Sequence, residues 1–314
     1  MNPLSALYGA GIGLRNRLFD RGVLPAMRLE QPVVSVGNLS TGGAGKTPFV
    51  IALGELLKER GVSFDVLSRG YGRKTRGVRI VDPRGSASDF GDEPLLIARK
   101  LGAPVVVGES RYEAGRLAEQ KFQAQLHLLD DGLQHRSLAR DFDIVLMTEA
   151  DLQDALLPIG RLREPMSALR RADAILLPQG LAVESARIHE KPVWRVTREL
   201  VLAEAPASPI VFCGLARPEQ FFAQVRECGV APAAEVAFRD HHAYADREIQ
   251  SLLTMKSKLG AQGFVTTEKD GINLGALRSQ LEPLVVATLK LTIDHPVTLV
   301  DTILARIAER KPRS

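Results

Sequence analysis

The chain has 314 residues, 45% hydrophobic and 25% charged, with a net charge of +4 and a mean hydropathy of -0.02. Such a length suits two packed units with cores of their own, and the composition excludes a disordered or membrane-spanning chain. Aromatic residues make up only 5% and no recognition motif accompanies the mild basic excess, so the charge suits an anionic ligand or a membrane surface and no nucleic acid is expected.

The first element is LSALYGAGIGLRNRLF, apolar and followed by arginines. A signal peptide is not expected, because Arg15, Arg17 and Arg21 follow the apolar stretch instead of preceding it. At helical spacing Leu4, Leu7, Tyr8, Ile12, Leu14, Leu18 and Phe19 share one side, fit either to rest in a bilayer interface or to pack on a core. Arg15 falls inside that arc, and Gly9, Gly11 and Gly13 weaken the helix.

Short apolar runs then alternate with helical patterns: Val33 to Val36, Phe64 to Leu67, Val105 to Val107, Leu126 to Leu129, Ile144 to Met147 and Ala174 to Leu177. This order predicts βαβ units, a mainly parallel sheet with helices on both faces, and ligands at the carboxyl ends of the strands. The first unit is expected over residues 1–190, linker strands over 191–209, and a smaller α/β unit over 210–314. In the last part, IVFCGLA, GFVTTEKD and LVVATLKLTI read as strands, with helices from Pro218 to Gly229, from Asp246 to Leu259 and from Val297. The two cysteines, Cys213 and Cys228, have no metal-ligand spacing and are expected to be buried thiols in a reducing cytoplasm.

The strongest motif is SVGNLSTGGAGKTPFV, residues 35–50. A strand that runs into glycines and then into a Gly-Lys-Thr helix start lets backbone N–H groups converge on phosphate, with the helix dipole behind them. Gly42, Gly43, Ala44, Gly45, Lys46 and Thr47 are the expected cradle; Lys46 reaches the β and γ phosphates and Thr47 ligates Mg2+. Ser40 stands where the usual pattern has its first glycine.

In LHLLDDGLQH, residues 126–135, an apolar strand ends in Asp130 and Asp131, so either carboxylate is a candidate to meet the nucleotide's metal. GDEPLLIARKLG begins a helix with Asp92 and Glu93, which reads as capping or as a general base near an acceptor hydroxyl. SRGYGR offers Arg69 and Arg73 to phosphate or to solvent, RLREP offers Arg163, and FRDHHAY carries paired histidines with too few neighbouring ligands for a metal. Lys269 in TEKD stands one place late for a guanine-recognition motif, which favours ATP over GTP.

Taken in order, PVVSVGNLSTGGAGKTP, SRGYGR, GDEP, ESRYEAG, DDGLQH, LREP, GLARPEQF, DHH and TEKD make the chain resemble the tetraacyldisaccharide 4'-kinases, the lipid A 4'-kinases of Gram-negative bacteria. The resemblance spans nearly the whole chain and includes the departure at Ser40. It implies a P-loop kinase, peripheral on the cytoplasmic face of the inner membrane. ATP and Mg2+ would be its cofactors and an acylated glucosamine disaccharide 1-phosphate its acceptor, with no obligate protein partner. Asp92 then matches a general base paired with His241, and Asp131 the Mg2+-associated acid. Arg163 and Glu164 match the LREP pair, Arg111 a basic residue near the site, and Glu93 and Gln134 complete the candidate set. The resemblance also implies that Arg15 contacts lipid phosphate and that closing the two units brings His241 to the site. A P-loop nucleotide switch or delivery ATPase is the alternative; it accounts for Gly42 to Thr47 and Asp131 but not for Asp92 or His241.

Overall fold

A computed structural model describes residues 3–182 and 191–309. Strands β1 (Val33–Asn38), β2 (Phe64–Ser68), β3 (Arg79–Ile80), β4 (Val105–Val107), β5 (Leu126–Asp130), β6 (Phe142–Leu146) and β7 (Ala174–Pro178) come first. They are followed by β8 (Val193–Val201), β9 (Ile210–Cys213), β10 (Ala234–Ala237), β11 (Phe264–Thr267) and β12 (Leu284–Ile293). All lie in one twelve-stranded sheet, ordered β10-β9-β11-β12-β8-β7-β6-β1-β5-β2-β4-β3. The described pairings are parallel except β3 with β4 and β8 with β12.

Each apolar run expected as a strand overlaps one, although Met147 lies just past β6 and Glu268 to Asp270 of GFVTTEKD begin a helix. β3 and β10 carried no such signal: β3 is two exposed residues at the sheet edge, and β10 alternates half-buried and exposed positions at the other edge. The expected boundary at residue 190 lies at the end of segment 183–190, outside the described residues. Beyond it β8 pairs with both β7 and β12, so the strands after residue 210 continue the same sheet.

Alternation along the strands builds cores on both faces. Val34 and Val36 pack with Phe49, Val50, Leu53 and Leu57 from the helix Lys46–Glu59, while Val33 turns to the opposite face with Leu29, Ala114 and Leu129. In the same way Ile210 and Phe212 face one side, and Val211 and Cys213 the other. Cys213 is buried, which pushes its thiol up to about 12, but Cys228 is exposed, contrary to the expectation of two buried thiols. It sits just past the helix Pro218–Glu227, where no core demands burial.

The sheet positions the site through β1, which lies between β5 and β6. The connection after β1 leads to β2 on the β5 side, whereas that after β5 crosses to β6 on the other side of β1, which opens a crevice at the carboxyl ends of these strands. Register sets Val36 beside Asp130 and Asn38 beside Leu146, so the glycine loop and the two aspartates emerge together. Close approach is enforced at Gly37, where a Cβ would lie 2.5 Å from Leu133 Cβ and 2.8 Å from its backbone nitrogen. Gly37→Ala is therefore expected to destabilise the fold by about 1–3 kcal/mol through overpacking, read as a lower urea midpoint; an unchanged midpoint would show that the Leu133 turn yields freely.

Candidate active site

Gly45, in a left-handed conformation at φ 77°, starts the helix Lys46–Glu59, so the loop's N–H groups and the helix end face the crevice. Lys46 Nζ donates to Asn38 Oδ1 at 2.9 Å and lies 3.4 Å from Asp131 Oδ1. Arg163 grips Asp131 with both terminal nitrogens at 2.8 Å and donates to Asn38 Oδ1 at 2.5 Å. Burial acts to raise the Asp131 carboxyl, but Lys46 and Arg163 outweigh it and hold it far below the usual carboxylate range. Asp131 takes a left-handed backbone, φ 53°, at the strand-to-turn corner.

Asp130 differs from its neighbour. Its Oδ2 accepts the Ser68 hydroxyl at 3.0 Å, whereas its buried Oδ1 has no hydrogen-bond partner among the described residues. Burial, then the charges of Glu93 and Asp131, push its carboxyl up to about 7. Glu93 faces the same crevice, and burial raises it as well. Of the two aspartates, Asp130 has the oxygen left open for a cation and Asp131 is already neutralised by two basic groups. A cation between Thr47 and this pair would relieve the orphaned oxygen, so the residues present fit Mg2+, which is commonly held by one or two carboxylates with phosphate and water completing the shell.

Asp92 is the first residue of the helix Asp92–Leu101, with Gly91 before it at the N-cap position. It therefore does not cap in the expected sense; instead its Oδ1 accepts the Glu93 N–H at 2.8 Å. Its carboxylate also meets His241 Nδ1, at 3.0 Å from Oδ1 and 2.9 Å from Oδ2, and accepts from Asn273 at 3.0 Å. Lys269 stands 4.0 Å away and is held by Asp240 at 2.8 Å. Burial works to raise Asp92, but the His241 bond and the Lys269 charge hold it below its ordinary value. Burial works to lower His241, but the bond and charge of Asp92 raise it. The two residues are thus already joined in this conformation, with no closure of the units required.

The other candidates are not all in the crevice. Gln134 donates to the Asn38 carbonyl at 3.0 Å and leaves its own Oε1 buried and unpartnered. Arg111 is 4% exposed and donates to the carbonyls of Gly108 and Glu109; burial and then the nearby Arg69 charge lower it to about 10. Glu164 is fully buried between Arg171, at 2.8 and 2.9 Å, and Asn16, at 2.7 Å, so it fastens the amino-terminal helix instead of facing phosphate. Arg73 pairs with Glu109, and His242 stacks on Phe238.

Sequence reasoning passed over Asn38, Ser68 and Asn273 as site groups, and considered Lys269 only for base recognition. Asn38 and Ser68 are the last residues of β1 and β2, where the strand-end rule points, and that signal was available. Asn273 lies on the helix Glu268–Leu274 and nothing local marks it.

A cavity of about 270 Å3 covers the loop. Its polar lining includes Lys46, Thr47, Glu93 and His241, and its apolar lining includes Leu96, Leu200, Leu215 and Phe221.

The family model described as tetraacyldisaccharide-1-P 4'-kinase matches residues 1–308. The chain is 49% identical to the tetraacyldisaccharide 4'-kinase of Koribacter versatilis, over 99% of each. It is 40% identical to that of Aquifex aeolicus, over 83% of this chain and 89% of the relative. A crystal structure described as the "apo" form of LpxK from Aquifex aeolicus in complex with ATP superposes with a TM-score of 0.78 at 35% identity, covering 97% of this chain and 98% of the other. With the glycine loop, its lysine and the paired aspartates on one crevice, the chain belongs to the tetraacyldisaccharide-1-P 4'-kinase family.

Proposed function

We propose that the protein transfers the γ-phosphate of ATP to the 4'-hydroxyl of a tetraacylated glucosamine disaccharide 1-phosphate, at the cytoplasmic face of the inner membrane. The observation that carries this reading is that His241, bonded to the buried Asp92, lines the same cavity as the phosphate loop. A nucleotide switch needs the loop but has no use for a carboxylate–imidazole pair aimed at a second substrate.

In the proposed step the hydroxyl oxygen forms a bond to the γ-phosphorus as the bridging P–O bond to ADP breaks. The hydroxyl proton passes to Asp92. His241, Asn273 and Lys269 hold that carboxylate in place and keep it ionised. A carboxylate held this low is a weak base, which suits a loose transition state in which orientation of the hydroxyl counts for more than early proton removal. Lys46 and Arg163 neutralise charge on the transferred group, and Asp131 keeps both aimed at the loop beforehand. Thr47 and Asp130, with Asp131 beside them, would hold Mg2+, which when bound offsets phosphate charge.

The amino-terminal helix Pro3–Asp20 supports the membrane part of the reading. Its polar groups point inward: Ser5 to Leu156, Tyr8 to the Arg163 carbonyl and Asn16 to Glu164. Leu4, Leu7 and Leu14 point outward at 58%, 73% and 59% exposure, joined by Ile159 at 57%. The arc expected from periodicity is thus divided, with Tyr8 facing the protein. Each exposed leucine is worth about 1.5–3 kcal/mol on leaving water, enough for reversible surface binding. No helix among the described residues is long and apolar enough to cross a bilayer. Arg15 turns inward to the Gln134 carbonyl at 2.9 Å and over Phe19, and Gln134 in turn donates to the Asn38 carbonyl at the crevice, which supports a role for Arg15 towards an anionic acceptor headgroup.

The direct assay supplies labelled ATP and tetraacyldisaccharide 1-phosphate in mixed micelles; label on the lipid is expected, and hydrolysis without it would favour the switch. Asp92→Asn should reduce kcat at least about a hundredfold, in line with positioned acid–base groups. His241→Ala removes the bond that opposes burial, so Asp92 rises and the acid limb of the kcat/KM profile moves to higher pH; an unmoved limb would separate the two residues. Asp130→Asn should raise the Mg2+ concentration needed for half-maximal rate, and an unchanged requirement would assign the metal elsewhere. Replacing Leu4, Leu7 and Leu14 by serine should weaken liposome sedimentation without lowering the melting temperature.

A further inference from the structure

The phosphate loop has two basic neighbours that the reaction as described does not use. Arg198 lies on β8, and its guanidinium donates to the Ala44 carbonyl of the loop. The same group passes 2.8 Å from where a Cβ on Gly45 would stand. Arg217 immediately precedes the helix Pro218–Glu227, and its Cδ and Nε lie 3.7 Å from the corresponding point on Gly43. Neither guanidinium has an ion pair to a carboxylate among the described residues, whereas Arg163, Arg171, Arg140 and Arg136 all do. Arg198 is lowered by burial first and then by the like charge of Arg217.

Two unpaired guanidiniums beside each other are electrostatically unfavourable until an anion arrives. Both line the cavity over the loop, and so do Leu200, two residues beyond Arg198 on the same strand face, and Phe221, one helical turn beyond Arg217. The basic pair therefore adjoins both the phosphate loop and the apolar part of the cavity that suits a flat base. Lys46 and Arg163, in contrast, are gathered at Asn38 and Asp131.

We propose that Arg198 and Arg217 bind the α- and β-phosphates of the donor, so that the C-terminal part of the chain shares in neutralising the nucleotide's charge and stabilises the diphosphate as it leaves. This rests on the kinase reading above. Arg198 has a second task, since its bond to Ala44 ties the loop's backbone to β8.

Calorimetric titration of the full chain with ATP, ADP, AMP and tripolyphosphate tests the assignment. The wild type should bind ATP, ADP and tripolyphosphate; failure to bind any of them would overturn the kinase reading itself. Given that binding, Arg217→Gln should weaken ATP, ADP and tripolyphosphate about tenfold, the loss of a charge-assisted contact, and change AMP binding less. Its melting temperature without ligand should be equal to or above that of the wild type, because a like-charge neighbour has gone. Arg217→Lys should recover part of the loss. Arg198→Gln should show the same phosphate-dependent loss and a lower kcat. Equal affinities in wild type and both glutamine variants, or an equal loss for AMP and ATP together with a lower melting temperature, would overturn the proposal and leave the pair a packing role.

Discussion

The contact between Asp92 and His241 joins residues 149 apart in sequence, and much of the site's organisation depends on it. A carboxylate buried at the start of a helix is costly unless it is met by a donor or a positive charge. Glu93 supplies one N–H locally, but the remaining partners, His241, Asn273 and Lys269, all arrive from beyond residue 240. The C-terminal part is thus required electrostatically for Asp92 to remain ionised at the crevice. His241 reaches it from a left-handed backbone, φ 55°, with the Tyr71 ring 4.9 Å away at its edge.

The same part of the chain explains the unusual phosphate loop. Gly42 and Gly43 are covered by the turn that carries Ala216 and Arg217; a Cβ on Gly42 would lie 3.1 Å from that of Ala216. Ser40 is tolerated for a different reason. It is buried and bridged antiparallel to Leu162, and Thr41 donates to the Arg161 carbonyl at 2.8 Å, so the chain here is short strand and not open loop. That bridge brings the neighbouring Arg163 to Asp131. The departure from the common loop pattern is thereby coupled to delivery of a basic side chain.

The parallel core was legible because its strands are continuous apolar runs and the helices between them are periodic. The glycine loop and the aspartate pair were legible because their chemistry is written at the end of a strand. What periodicity missed follows from physics that acts across the chain. β3 and β10 are edge strands with weak apolar signal, and the continuation of one sheet through β8 and β12 is a pairing between segments about ninety residues apart. The Asp92–His241 pairing came from family resemblance, since nothing within either segment announces the other. Glu164 entered the candidate set through the LREP resemblance; successive residues at a turn face different ways, and its carboxylate bonds Arg171 and Asn16.

The amino-terminal helix inverts the usual arrangement of a surface helix, with its hydrogen-bonding residues towards the protein and its leucines towards the outside. On the membrane reading proposed above, folding and partitioning fall to separate sets of side chains. Ser5, Tyr8 and Asn16 fix where the helix lies, and Leu4, Leu7 and Leu14 are exposed. On that reading, the outward face is open to retuning in size and apolarity, to match a thicker or more fluid apolar phase, without disturbing the Arg163 carbonyl and the Glu164 carboxylate that the inner face helps to hold.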